Sequence, residues 1–284
     1  MKLKISHLAI IVTLLCGQLI SSAAETGLDI ERTWLGEANA KPIALAMSGF
    51  SGEVDSVLRF DLFVMGCEFV EPMKAQYIVQ GSNSGRVEGR LFDAINKKEI
   101  FGKAFTGGSA RTQAHALADE IAEAVTHGKG IAKTKIAFKV ERPGGSEIAV
   151  ADFDGHNAHI VTSDHSIVAA PAWAPGRRML YYTSYQLENP DIFSHNLETG
   201  ERHTIARYSG LNTGAALSPD GRRLAMVLSK NGSPNIWVGN ADGTNLKQIT
   251  SDREGDSSPC WSPDSRQICY SSREIGRASC RERV

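Results

Sequence analysis

Two hydrophobic periods divide the chain. Lys41-Pro-Ile-Ala-Leu-Ala-Met47 is a continuous apolar run of strand length. Val54, Val57, Leu58, Leu62 and Met65 then fall on one helical face, which Gly66 ends. Residues 77–80, 86–92 and 99–105 read as strands, with Asn96-Lys97-Lys98 turning the chain between the last two. Ser109 caps a second helix, in which Ala114, Leu117, Ala118, Ile121 and Val125 repeat at helical spacing and Gly128 is the stop. Strands interspersed with helices predict an α/β domain, followed by a boundary around 127–131.

Beyond that boundary the helical period disappears and a longer one takes over. Pro171-Ala-Trp-Ala-Pro-Gly-Arg-Arg-Met-Leu-Tyr-Tyr, Ala215-Ala-Leu-Ser-Pro-Asp-Gly-Arg-Arg-Leu-Ala-Met and Pro259-Cys-Trp-Ser-Pro-Asp-Ser-Arg-Gln-Ile-Cys-Tyr superimpose. Their anchoring prolines, Pro175, Pro219 and Pro263, stand 44 residues apart each time. Between them recurs a second unit, starting at Glu147, Asp191 and Asn235 and ending in Asp-Gly or Thr-Gly. A period in the forties built from short strands predicts a β-propeller. In the Ser-Pro-Asp-Gly turn, Pro fixes φ, Asp220 or Asp264 bonds its own backbone, and Gly221 supplies a positive φ. Trp173 and Trp261 share a position with Leu217, so packing between blades is their expected role.

The blade count is incomplete. From Lys135 to Val284 there are 150 residues, about three and a half units of 44. The first unit lacks the Pro-Xaa-Trp strand that opens the others. The last should carry an apolar strand where Ser279-Cys-Arg-Glu282 stands. The expected layout is 1–24 signal peptide, 25–130 α/β domain, 131–272 partial propeller and 273–284 an atypical, non-native tail of a truncated chain.

The N-terminus indicates where the protein works. Lys2 and Lys4 precede an apolar run from Leu8 to Ile20, and Ser21-Ser22-Ala23-Ala24 supplies small residues for cleavage after Ala23 or Ala24. The run is too short and too interrupted by Gly17 and Gln18 for a membrane span. Loss of Lys2 and Lys4 leaves 29 Lys and Arg against 32 Asp and Glu, which argues against nucleic-acid binding and against a basic membrane-surface patch. Export makes disulfides possible for Cys67, Cys260, Cys269 and Cys280. No CxxC pair is present, and small buried hydrophobes are the expected role of Cys260 and Cys269, with a bond between them as the alternative.

An export signal, a small α/β domain and Pro-Xaa-Trp-Ser-Pro-Asp-Gly repeats together resemble the TolB family of the periplasmic Tol–Pal envelope system. Lys41-Pro-Ile-Ala-Leu, Tyr77-Ile-Val-Gln-Gly81, Lys135-Ile-Ala-Phe138, Glu147-Ile-Ala-Val-Ala-Asp-Phe-Asp-Gly155 and the three hairpins carry the resemblance. It implies a propeller of six blades, of which about half are here. It also implies a non-catalytic periplasmic adaptor in envelope integrity and cell division. Its partners would be a Pal-like lipoprotein at the propeller and a TolA-like protein at the mature N-terminal segment. In that segment Leu28, Ile30, Trp34 and Leu35 alternate with charges and suit strand addition to a partner.

Enzyme and metal chemistry are weakly signalled. Prolyl-oligopeptidase-like enzymes share such repeats, but their nucleophile elbow has no Gly-Xaa-Ser-Xaa-Gly counterpart here. A peptidase propeller and a secreted ligand-binding propeller remain the alternatives. Asp152, Asp154, His156, His159 and His165 crowd together, yet His156 replaces an expected calcium ligand and the bidentate Glu is missing. Turn polarity is the expected role of these residues, and solvation that of His115 and His127. No catalytic residue, metal ligand or cofactor is expected.

Overall fold

A computed structural model describes residues 41–273 and the strand at 280–283. The α/β layer begins with β1 (Ile43–Ser48), α1 (Gly52–Val64) and β2 (Cys67–Phe69). It continues through β3 (Tyr77–Ser82), β4 (Val87–Asp93), β5 (Lys98–Phe105) and α2 (Ala110–Thr126). The strands form one sheet in the order β2-β1-β3-β4-β5, parallel at β1 and antiparallel beyond β3. Leu45, Val79 and Leu91 from the sheet share one core with Val57, Leu58 and Leu62 of α1 and Leu117 and Ile121 of α2. Removing such side chains from water supplies about 1.5–3 kcal/mol each.

Local chemistry sets the helix limits. Ser109 Oγ accepts a hydrogen bond from the Thr112 N–H at 3.1 Å, closing the first turn of α2. The helix ends one residue earlier than the sequence indicates. His127, not Gly128, takes the left-handed cap at φ 57°. The chain leaving α2 is tied back to it, because the Asp119 carboxylate accepts from the Ala132 and Lys133 N–H groups at 2.6 and 3.3 Å.

The remaining strands are antiparallel sheets in series. The first blade holds β6 (Lys135–Arg142), β7 (Gly145–Asp152) and β8 (His159–Ile160). The second holds β9 (Val168–Trp173), β10 (Met179–Leu187), β11 (Asn189–Asn196) and β12 (Arg202–Ala206). The third holds β13 (Asn212–Leu217), β14 (Arg223–Leu228), β15 (Asn235–Asn240) and β16 (Lys247–Gln248). The fourth holds β17 (Asp256–Trp261), β18 (Gln267–Ser272) and β19 (Cys280–Arg283). Among the described residues β6 is an edge strand, so the first blade has no strand inside it, as its sequence indicates. The polar segment at the chain's end does pair, with Gln267 opposite Arg283, although its sequence lacks the apolar pattern of a blade strand.

The repeat has a structural signature at the level of single residues. The register slips once in the first strand pair of the second, third and fourth blades. Within each slip sits a residue of positive φ, Ala170 at 50°, Gly214 at 64° and Ser258 at 54°. The proline-anchored turns also repeat: Asp220 Oδ1 accepts from Ser218 Oγ and Arg222 N–H, and Asp264 Oδ1 from Ser262 Oγ and Arg266 N–H. Blades interlock through Trp261, whose Nε1–H donates to Ala216 O at 2.9 Å, and Tyr181, whose hydroxyl donates to Ala241 O at 3.0 Å. Cys260 and Cys269 are directly opposed on β17 and β18, but Cys260 is exposed and Cys269 half-buried, so a shared role as core hydrophobes is corrected.

Candidate binding site at the turn end of the first two blades

The hairpin of β7 and β8, with its connecting turn, contributes to two features. One is a cleft of about 1010 Å³ between the first and second blades. Its apolar lining includes Val150, Val161, Trp173, Met179 and Leu197. Lys135, Arg177, Arg178 and Glu198 supply the charged part of the lining. Lys135 is committed to an ion pair with Asp152, whereas Arg177 and Arg178 have no ion pair among the described residues. Pro175, the first of the repeat prolines, also lines the cleft, whereas Pro219 and Pro263 lie in the turns of later blades.

Two buried polar atoms in the lining have no hydrogen-bond partner among the described residues, Trp173 Nε1 and His195 Nδ1. The internal repeat explains the first. Trp261 gives its N–H to a carbonyl on the first strand of the preceding blade, and for Trp173 that strand would lie inside β6. Burial, helped by the Arg202 charge, depresses the His195 pKa below the ordinary imidazole value and favours the neutral ring. The exposed Arg177 and Arg178 beside an apolar lining suit a partner that presents carboxylate oxygens.

The second feature is a buried charge cluster where the same turn meets the helices. Asp61 interrupts the apolar stripe of α1 and is fully buried. Arg111 and His115, four residues apart, lie on one face of α2. His115 Nδ1 meets Asp61 Oδ2 at 2.6 Å, and its Nε2 stands 3.5 Å from Asp154 Oδ2. Arg111 binds the same Asp154 carboxylate with one arm and Glu53 with the other, at 3.0 Å for Glu53. Asp61, His115 and Asp154 present ligand-type atoms within 4.8 Å of one another. Arg111 and a charged His115 match the two buried carboxylates, Asp61 and Asp154, with Glu53 more exposed at the edge, and a divalent cation would stand beside the Arg111 charge.

The sequence-based view of these residues needs correction. His115 is 6% exposed and ion-paired, not solvated, and Asp154 is part of the helix contact and not simple turn polarity. His127 is exposed as expected. The period-four row Arg111, His115 and Asp119 beside the apolar stripe of α2 is the signal that marks the cluster in the sequence. Leu28, Ile30, Trp34 and Leu35, with the signal segment, lie outside the described residues. Among the described residues no helix is long and apolar enough to cross a membrane.

Comparison with known proteins gives concordant results. A family model described as the TolB beta propeller domain matches residues 122–280, more than half of the chain. The Tol-Pal system protein TolB of Anaeromyxobacter dehalogenans (strain 2CP-C) is 29% identical over 267 residues, covering 80% of this chain and 61% of the relative. The same values hold for the Tol-Pal system protein TolB of Anaeromyxobacter sp. (strain K). The chain therefore spans 61% of the length of these curated relatives. The crystal structure of TolB from Acinetobacter baumannii superimposes with a TM-score of 0.72 at 21% identity, covering 84% of this chain and 71% of that one, which establishes a shared fold.

Proposed function

The chain belongs to the TolB beta propeller family, and from that premise we propose that it is a non-catalytic binding protein of the Tol–Pal envelope system, working in the periplasm. Its partners in this reading are a Pal-like lipoprotein at the propeller and a TolA-like protein at the segment carrying Leu28, Ile30, Trp34 and Leu35. Through them it serves envelope integrity and cell division. The family match over residues 122–280 carries the reading. Rigid blades that present loops at their ends support it physically, since such a surface recognises a partner without bond chemistry.

Calorimetric titration of the purified full chain with the soluble part of a Pal-like lipoprotein tests it. Saturable one-to-one binding is expected. Absence of heat and of co-elution at micromolar concentrations would remove the adaptor reading.

A further inference from the structure

The α/β layer and the first blade belong to one compact unit, and a small set of side chains joins them. Phe60 of α1 meets Phe153 edge-on, with ring centroids 6.2 Å apart. Beside that ring contact, Arg111 and His115 of α2 both converge on Asp154 in the turn after β7, and His115 is backed by Asp61 of α1. We propose that Asp61, His115, Arg111 and Asp154 form a proton-controlled clasp between the α/β layer and the first blade, closed while His115 carries its charge and loosened when it becomes neutral.

The argument rests on which atom faces which. With Nδ1–H donated to Asp61, the proton on Nε2 is the one that faces Asp154. Its loss turns a lone pair toward a carboxylate whose side chain is only 4% exposed, and nearby water cannot dilute the repulsion. Arg111 then holds Asp154 alone while also serving Glu53. The Asp61 and Asp154 charges favour the charged ring, and the Arg111 guanidinium opposes it. Burial, with the Asp154 and Asp119 charges, pushes the Asp61 carboxyl up and the His115 contact pulls it back, while Asp152, paired with Lys135, is held down in part by the His115 charge. Burial and the Arg111 charge lower the His115 pKa, but the Asp61 hydrogen bond and the charges of Asp61 and Asp154 outweigh them and leave the value raised above 6.5. The histidine therefore contributes its full share below pH 6.5, and that share is lost as pH rises through the elevated native value.

The test uses the full chain with two dyes, introduced by unnatural residues at the exposed positions Glu71 and Glu198. Energy transfer is followed from about pH 5.5 to about pH 9.5, beside the His115 ring signal in the NMR spectrum. The open population should rise about fivefold or more across a single midpoint above the ordinary imidazole value, and that midpoint should match the ring titration. His115→Gln should abolish the pH dependence. Asp154→Asn, which leaves both helices intact, should move the midpoint downward. Energy transfer that is flat with pH in the wild type, a profile that persists in His115→Gln, or an unmoved midpoint in Asp154→Asn would each overturn the clasp.

Discussion

At the residue scale, backbone conformation explains choices that side-chain chemistry does not. Ala170, Gly214 and Ser258 hold the same left-handed position in three successive blades, but glycine occupies it once. A Cβ at Gly214 would stand 3.1 Å from Val227 Cγ2 and 3.7 Å from Pro259 Cδ, so the third blade has less room there than the positive φ alone requires. Gly214→Ala should therefore destabilise by about 1–2 kcal/mol, combining left-handed strain with crowding. Ala170→Gly should be neutral or stabilise by about 0.5 kcal/mol, because it removes a Cβ from that strained conformation. Urea midpoints at constant slope distinguish the two. A loss in Ala170→Gly with no loss in Gly214→Ala would show that flexibility of the unfolded chain, and not native strain, governs the position.

At the element scale, the strongly periodic segments were legible and the short ones were not. The α2 stripe of Ala114, Leu117, Ala118 and Ile121 is wide enough to read directly, and all four are fully buried. Its start is set by Ser109, so Ser109→Ala should cost about 1 kcal/mol in denaturant, and Ser109→Asp should retain most of that stability. A Ser109→Ala variant as stable as the wild type would mean that the cap is offset elsewhere. By contrast, β2 is three residues long and exists because Cys67 and Phe69 pair with Ile43 and Leu45, a tertiary fact with no local period. Burial of polar groups was hidden for the same reason. His115 meets a partner 54 residues earlier, and Arg111 one 43 residues later, so no window along the chain contains either pair. The proline-anchored hairpins were legible because each turn carries its own hydrogen bonds, as Asp220 and Asp264 show. The Trp173 Nε1–H, which has no hydrogen-bond partner among the described residues, depends on the strand beside it and was not.

At the scale of the whole molecule, a series of blades is held by what passes between neighbours, and the passage from the first to the second has an ionic fastening. Glu147 accepts from the Thr162 hydroxyl and from the Asp164 and His165 N–H groups, fixing the connection that leaves the first blade. Asp164, whose side chain is fully buried, meets Arg202 of β12, with Nη1 and Nη2 at 3.0 and 3.1 Å from its two oxygens. The guanidinium also lies 5.5 and 5.3 Å from the ring centres of Tyr182 and Phe193. This pair sits among aromatic rings, where one charge without the other is poorly solvated. Arg202→Met should therefore cost about 3 kcal/mol, because it strands the Asp164 carboxylate. Adding Asp164→Leu should recover part of that loss, because the second change removes the stranded charge and leaves an apolar pair beside Tyr182 and Phe193. Denaturant unfolding of the full chain, followed by tryptophan fluorescence, gives all corners of the cycle. A double variant less stable than Arg202→Met alone would show that Asp164 acts through some other contact and that this ion pair is not what fastens the first blade to the second.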